Sequence, residues 1–393
     1  MQQRTSKLLV LAAAAIVCAI GVTLVAPGAV PDRSLDLLRA GPGVAGFTLA
    51  REPREFEFPR DHGPHPAFRH EWWYLTGNLR SPGGERFGFE LTIFRFALAP
   101  PPGIRQTGAS PPGGPQAGAS PWRTRQIYLA HFAVTDVARG TFRFATRLER
   151  DALGLAGAQA EPFRVWLDDW QIGGGSTWTV RARQKDYALN LEVERLAAPV
   201  LNGDQGLSVK SGDPGSASYY YSIPRVSVRG ELVRGHTSVP VSGEAWLDRE
   251  WGSGSLGARE EGWDWFAVQL DDGTALMFYS LRNVDGSRDA HSAGTWVDSK
   301  GIGHSLSSAD VSIDVGGHWT NPRGDPYPSR WRLRIPSLAL DLDVKPVLAN
   351  QELATNPRYW EGAVDVSGSR SGKTLAGRGY VELVGYSPAP ARR

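Results

Sequence analysis

Short segments in which apolar and polar residues alternate recur along most of the chain, and no other feature limits the fold as strongly. Alternation with a period of two is typical of β-strands that bury one face, and the Gly, Pro, Asn and Asp residues between the segments indicate turns. Stretches with a helical period are few. The sequence therefore predicts an all-β fold of antiparallel strands.

The predicted strands form two groups that follow one another along the chain. The N-terminal group comprises Trp72–Leu79, Phe87–Phe96, Ile127–Val137, Phe163–Trp170, Trp178–Arg183, Tyr187–Val193 and Tyr219–Arg229. The C-terminal group comprises Val239–Trp251, Trp263–Leu270, Ala275–Arg282, Gly294–Val297, Arg330–Ile335, Leu338–Val344, Trp360–Ser367 and Gly379–Gly385.

Length and repetition indicate two domains. A chain of 393 residues is longer than one hydrophobic core usually organises. Each half also contains a hairpin led by tryptophan, with Trp72-x-Tyr74 in the first and Trp263-x-Trp265 in the second. We expect two antiparallel barrel-like domains, over residues 51–235 and 236–393.

The N-terminus predicts export. Residues 8–25 carry no charge, follow Arg4 and Lys7, and precede the small residues 26–29. This pattern is typical of a signal segment, and the apolar run is also near the length of a membrane-spanning helix. We expect residues 1–29 to be a cleaved signal peptide or a membrane anchor, residues 30–50 to be a linker, and the folded part to be periplasmic. The low-complexity residues 100–121 predict a disordered insertion.

Charge and cysteine content exclude several kinds of site. The 43 basic and 41 acidic side chains are interspersed and leave a net charge of +2, without the basic stripe that nucleic acid requires. Cys18, the only cysteine, lies in the predicted signal segment, so the folded part has no disulfide or thiolate ligand. The G-x-G-x-x-G matches at residues 41–46 and 252–257 join no β-α unit, and no H-E-x-x-H motif occurs. We expect neither a cofactor nor a metal.

The segment Trp246-x-Asp248-x-Glu250 is the first candidate for chemistry. Strand alternation places these three side chains on one face and Leu247 and Arg249 on the other. If that face points into a closed barrel, burial beside aromatic rings raises the pKa of the acids, and a protonated acid can donate to a C=C bond. The alternative is that both acids face outward or form structural ion pairs with arginines.

The segment His70-Glu71-Trp72-Trp73-Tyr74 is the second candidate. His70 or Glu71 can serve as an acid or base, and His131 on a predicted strand can face Glu71 across the first barrel. The alternative is a structural plug in which Glu71 bonds to backbone or arginine. Asp264, between two tryptophans, has the same two interpretations.

Four motifs together resemble the AttH-like or carotenoid 1,2-hydratase-like family of exported, lipocalin-like proteins. They are Phe58-Pro59-Arg60-Asp61-His62-Gly63 with His70-Glu71-Trp72-Trp73-Tyr74; Gly243-Glu244-Ala245-Trp246-Leu247-Asp248-Arg249-Glu250-Trp251-Gly252; Gly262-Trp263-Asp264-Trp265-Phe266-Ala267; and Tyr359-Trp360-Glu361-Gly362. The resemblance implies two lipocalin-like β-barrels. In the hydratase branch it implies addition of water to an isoprenoid double bond by a carboxylic acid near an Asn-Trp-Gly element, where this sequence has Glu250-Trp251-Gly252. Other members are described as secreted hydrolase-like.

Three functions stay open from the sequence. The chain is an enzyme that adds water to, or hydrolyses, a hydrophobic molecule of isoprenoid or lipid type; a carrier that only binds such a molecule; or a structural partner of an envelope transporter. The candidate catalytic residues are Asp248, Glu250, Glu71 and His131. The candidate ligand-binding residues are His70, Trp72, Tyr74, Trp246, Trp251, Trp263, Asp264, Trp265, Tyr279 and Trp360.

Overall fold

The computed structural model of the protein describes residues 45–101, 124–175, 177–254, 256–257, 259–355 and 358–386. The predicted signal or anchor at residues 1–29 lies outside this part, as do most of the predicted linker and most of the predicted insertion. Among the described residues, no helix is long and apolar enough to cross a membrane. Export and anchoring therefore stay predictions.

The described part of the chain is built almost entirely from strands. Its only helical segments are the short 3-10 turns Arg60–His62 and Pro336–Leu338. The prediction of an all-β fold with two barrel-like domains is confirmed, because one sheet forms a nearly closed barrel and the other a half-barrel.

The first sheet contains 13 antiparallel strands. Their bounds are β1 (His70–Arg80), β2 (Arg86–Ala97), β3 (Gln126–Asp136), β4 (Thr141–Arg150), β5 (Ala156–Ala160), β6 (Phe163–Leu167), β7 (Trp170–Gly173), β8 (Thr179–Arg183), β9 (Tyr187–Leu196), β10 (Val200–Leu201), β11 (Leu207–Val209), β12 (Ala217–Arg234) and β13 (Thr237–Gly254). The strand order is β4-β3-β2-β1-β13-β12-β9-β8-β7-β6-β5, with β10 and β11 paired to β12.

The second sheet contains ten strands. Their bounds are β14 (Glu260–Leu270), β15 (Ala275–Asn283), β16 (Ala293–Val297), β17 (Gly303–Ser307), β18 (Ser312–Thr320), β19 (Pro326–Ile335), β20 (Leu340–Pro346), β21 (Glu352–Leu353), β22 (Tyr359–Arg370) and β23 (Lys373–Val384). The strand order is β17-β16-β15-β14-β23-β22-β20-β19-β18, with β21 paired to β22.

The sheets divide at a different place from the domain boundary expected at residues 235 and 236. Gly235 and His236 form the hairpin turn between β12 and β13, which pair along their whole length, so β13 completes the first sheet. The division between sheets falls between Gly254 and Glu260. A tight turn that contains glycine has the same local composition as a short linker, which explains the difference.

Large side chains fill the interior of the first barrel. Alternation along β1 and β13 directs Trp73, Leu247 and Trp251 inward, where they join the largest hydrophobic cluster. The concave face of the second sheet has its own core, which includes Phe266 and Trp360. Leu247 therefore lies on the face of β13 opposite Asp248 and Glu250, as the alternation predicts.

The remaining faces of the two sheets pack against each other. Tyr74 and Trp246 from the first sheet share a buried cluster with Trp265 and Tyr279 from the second. A hydrogen bond from Asn78 Nδ2 to the carbonyl oxygen of Gly379, at 3.1 Å, also joins the two sheets. The residues that alternate with the barrel core thus become the interface between sheets.

Candidate functional site between the sheets

A cavity of about 90 Å³ lies at this interface. The first sheet lines it with Trp72, Tyr74, Phe94, Tyr220, Asp248 and Glu250. The second sheet lines it with Trp263, Trp265, Tyr279, Leu281, Tyr359 and Glu382, and connecting segments add Lys210 and Leu256. The sequence analysis places the ligand inside a barrel, but the barrel interior is filled, and the space lies between the sheets.

Asp248 is held in the cavity wall by three donors. Ser222 Oγ and Trp246 Nε1 each donate to Asp248 Oδ1 at 2.6 Å, and the Tyr220 hydroxyl donates to Oδ2. The Tyr220 oxygen accepts a hydrogen bond from Trp265 Nε1 at 3.1 Å. Because Trp265 belongs to the second sheet, both sheets fix the orientation of this carboxyl group.

Burial raises the pKa of the Asp248 carboxyl to about 7, although the hydrogen bonds from Ser222, Tyr220 and Trp246 oppose the rise. Desolvation disfavours the charged carboxylate, whereas hydrogen-bond donors favour it. A group whose pKa lies near the ambient pH donates and accepts protons with similar ease. Asp248 therefore has the properties of a general acid at neutral pH.

Glu250 lies two residues further along the same strand and has a different environment. Its Oε1 accepts a hydrogen bond from Ser218 Oγ and lies 3.3 Å from Lys210 Nζ. The lysine nitrogen also lies 3.8 Å from the centre of the Tyr279 ring. Burial lowers the pKa of Lys210, but Glu250 and Tyr279 together outweigh burial and the net shift is upward. The two side chains therefore form a buried ion pair in the cavity wall.

A second acid with a raised pKa faces the cavity from the other sheet. Glu382 on β23 accepts a hydrogen bond from Trp263 Nε1 at 3.1 Å. Burial raises the pKa of Glu382 to about 8. Its cross-strand neighbour Glu361 accepts a hydrogen bond from the Tyr74 hydroxyl at 2.8 Å, and burial raises the pKa of Glu361 well above its ordinary value. Protonation of Glu382 and Glu361 therefore limits the negative charge at the interface.

Seven of the predicted site residues line this cavity together. They are Trp72, Tyr74, Asp248, Glu250, Trp263, Trp265 and Tyr279. Trp246 joins the site through its hydrogen bond to Asp248. The structure thus brings together predicted residues from four different strands.

Glu71 and His131 do not form the predicted catalytic pair. Glu71 points into the first barrel, where it forms fully buried ion pairs with Arg95 and Arg249. Burial raises the pKa of Glu71, but the two arginines outweigh it and hold that pKa well below its ordinary value. His131 lies on the opposite face of the sheet, in contact with the rings of Phe94 and Tyr359. The structural alternative for Glu71, bonding to arginine, matches the geometry.

Four other predicted ligand residues lie away from the cavity. Trp251 stacks on His65 inside the first barrel, with ring centres 3.7 Å apart, and Trp360 packs in the core of the second sheet. Asp264 faces the same core side and pairs with Arg282 at 3.0 Å. His70 is fully buried behind Trp72, with ring centres 5.8 Å apart. Strand alternation explains the positions of Trp251, Trp360 and Asp264. Each is next in sequence to a residue that lines the cavity, so its side chain lies on the opposite face of the strand.

The sequence analysis missed Lys210, Tyr220 and Glu382. The segment Tyr219–Arg229 was predicted as a strand, and its register opposite β13 places Tyr220 beside the acids. Lys210 lies in an irregular segment and Glu382 near the end of the last strand, so only the pairing of distant strands reveals them. Single-strand patterns carry no such information.

The comparisons with known proteins agree with this architecture. The family model described as AttH-like matches residues 49–386. A crystal structure assigned to AttH from Nitrosomonas europaea is 33% identical, covers 87% of this chain and 100% of that chain, and has a TM-score of 0.75. Kievitone hydratase from Nectria haematococca is 14% identical, covers 88% of this chain and 97% of that chain, and has a TM-score of 0.62, which shows a shared fold. The search among curated proteins gave no match.

Proposed function

The chain belongs to the AttH-like family, and from this premise we propose that it binds a hydrophobic molecule of isoprenoid or lipid type between its sheets and adds water to a C=C bond of that molecule. One observation carries the proposal. A carboxyl group with a pKa of about 7, Asp248, is fixed in the wall of a cavity lined mainly by aromatic rings. The solved kievitone hydratase, by its name, belongs to the same reaction class.

Asp248 supplies the proton in the proposed reaction. The π electrons of the C=C bond take the proton from the carboxyl group, which leaves a carbocation on the more substituted carbon and a carboxylate on Asp248. A water molecule forms the new C–O bond, and the proton it loses returns to that carboxylate. Atoms and charge balance without a cofactor.

The aromatic walls stabilise the cationic intermediate. Trp72 lines one side of the cavity, and Trp263 and Trp265 line the other. The face of an aromatic ring attracts a cation by about 0.5–2 kcal/mol, more when water is excluded. Placing a developing positive charge between such rings lowers the barrier to protonation.

The test uses an isoprenoid hydrocarbon and an isoprenoid alcohol of the same carbon skeleton, myrcene and geraniol. Wild-type protein in H₂¹⁸O should convert at least one of them into a product with one added ¹⁸O, detected by mass spectrometry. Asp248→Asn keeps the shape of the side chain but removes the titrating proton, so this variant should lose turnover and keep binding. Asp186→Asn, at an exposed aspartate, is the matched control and should remain active.

Binding of either compound without conversion by the wild-type protein would favour the carrier alternative, because a carrier needs only the aromatic cavity.

The proposed periplasmic location has its own test, a fusion of alkaline phosphatase after Arg393. The fusion should be active if the N-terminus directs export. An inactive fusion, with a cytoplasmic reporter active at the same position, would contradict the location.

A further inference from the structure

Lys210 is an unusual component of an otherwise aromatic cavity. Its side chain is only 8% exposed, and it lies directly after β11 in a segment that packs between the two sheets. A lysine is seldom buried without a specific role for its charge, because desolvation of an ammonium group is costly. The proposed reaction assigns this lysine no step.

The protein gives the ammonium group of Lys210 one charged acceptor and two aromatic rings. An ammonium group has three N–H donors. Glu250 Oε1 lies 3.3 Å from Nζ, and the centres of the Tyr279 and Tyr220 rings lie 3.8 Å and 5.0 Å from it. The face of an aromatic ring is a weak hydrogen-bond acceptor, and Lys210 lines the cavity. An oxygen atom of a molecule in the cavity would therefore be a stronger acceptor for an N–H of Lys210 than either ring.

The charges around the cavity restrict what that molecule can be. The positive charge of Lys210 is already balanced by Glu250 at 3.3 Å. Asp248 and Glu382 also line the cavity, and each becomes negative when it ionises. A ligand with a full negative charge would add a second anion beside Glu250 without a second cation to compensate it.

We infer that Lys210 donates a hydrogen bond to a neutral acceptor oxygen of the ligand, such as a hydroxyl, ether or carbonyl oxygen. The ligand is then an oxygenated hydrophobic molecule, not a pure hydrocarbon and not a carboxylate. This inference rests on the proposed function only in that the ligand occupies the cavity between the sheets.

A ligand without an oxygen atom should bind more weakly than one that can accept a hydrogen bond from Lys210. A hydrocarbon that enters the cavity displaces water from Lys210 and returns no hydrogen bond to the ammonium group. Hydrogen bonds to charged groups contribute enough to change affinity by roughly tenfold to a hundredfold. Lys210 thus acts as a specificity-determining residue, distinct from the acid that transfers the proton.

The experiment compares three compounds that share one isoprenoid skeleton and differ in polar content: myrcene, geraniol and geranate. Isothermal titration calorimetry measures their dissociation constants at pH 6. The wild-type protein should bind geraniol about tenfold or more tightly than either myrcene or geranate.

Variants separate the role of the charge from its structural role. Lys210→Met alone leaves Glu250 buried without its partner, so the double variant Lys210→Met with Glu250→Gln removes both charges together. This protein should bind geraniol and myrcene with similar affinity, while retaining the far-UV circular dichroism spectrum of the wild type. Lys300→Met, at an exposed lysine, should keep the wild-type preference.

Equal binding of geraniol and myrcene by the wild-type protein would overturn the inference and leave the proposed hydration intact, because turnover of myrcene can still be measured. Preferential binding of geranate would also overturn it and indicate an anion site. A geraniol preference that persists in the double variant would show that another residue binds the oxygen. If neither geraniol nor myrcene binds, both the inference and the proposed function fail.

Discussion

Replacing Asp248 with asparagine should change how the stability of the protein depends on pH. The carboxyl group is 3% exposed in the folded state, and burial raises its pKa from 3.8 to about 7. In the unfolded chain the same group ionises near its ordinary value. Between these two pKa values the folded state holds a proton that the unfolded state releases.

The sign and magnitude follow from this difference in bound protons. Stability falls with rising pH wherever the folded state binds more protons, and each pKa unit corresponds to about 1.4 kcal/mol. A shift from 3.8 to about 7 therefore amounts to about 4 kcal/mol. This contribution is fully present below pH 4, is lost progressively as the pH rises to 7, and stays constant above that.

Urea denaturation followed by tryptophan fluorescence at several pH values between 4 and 8 can measure the effect. The free energy of unfolding of Asp248→Asn minus that of the wild type should increase by about 4 kcal/mol from pH 4 to pH 8, because only the wild type loses stability as the pH rises. Any fixed cost of the substitution, such as the changed hydrogen bond to Tyr220, shifts all values equally and leaves the slope unaffected. The exposed Asp186→Asn should show no comparable slope.

If the difference in free energy of unfolding between Asp248→Asn and the wild type does not change with pH, the reasoning is refuted. That result would mean that the buried carboxyl group ionises near its ordinary pKa, so that the donors around it fully offset the effect of burial. A general acid at neutral pH would then have to be sought elsewhere in the cavity, with Glu382 as the next candidate.

Three further predictions test other parts of the structure. Glu71→Gln should lower the free energy of unfolding by about 3–5 kcal/mol in urea denaturation, because it leaves two buried arginines without their carboxylate; an unchanged midpoint would contradict the ion-pair assignment. Tyr220→Phe removes a donor that favours ionised Asp248, so the upper limit of the pH–activity profile should move to higher pH, and a downward shift would refute that role. Gly243→Ala should destabilise the protein by about 1–3 kcal/mol or more in thermal unfolding, because a Cβ atom would lie 2.1 Å from the carbonyl oxygen of Asn78.

Much of the fold could be predicted from the sequence because strand alternation is a local property. A period of two predicts that Trp246, Asp248 and Glu250 share one face of the strand. In the structure these three side chains lie opposite Leu247 and Trp251, which pack in the barrel core. Local patterns do not reveal which sheet a strand joins. The hairpin turn at Gly235 therefore resembled a domain boundary, although it connects two strands of one sheet.

The main difference between the sequence prediction and the structure is the location of the site, and this difference has a physical cause. Alternation tells which side chains share a face, but it does not tell whether that face is concave or convex. In the first sheet the bulky residues Trp73, Trp170 and Trp251 fill the barrel. The face that carries Asp248 is therefore left to pack against the second sheet. Only the pairing of distant strands decides between these two arrangements.

The interface between sheets explains why Asp248 has a pKa near neutrality. Burial raises the pKa of the carboxyl group, its three hydrogen-bond donors lower it, and burial is the larger effect. Burial depends on contact between the two sheets, and one of the donors, Tyr220, is itself oriented by Trp265 from the second sheet. Water entering between the sheets would weaken the desolvation and lower the pKa of Asp248 toward its ordinary value. The acid strength of the site is thus coupled to the packing of the two sheets, so the proposed chemistry depends on both sheets even though Asp248 lies on only one of them.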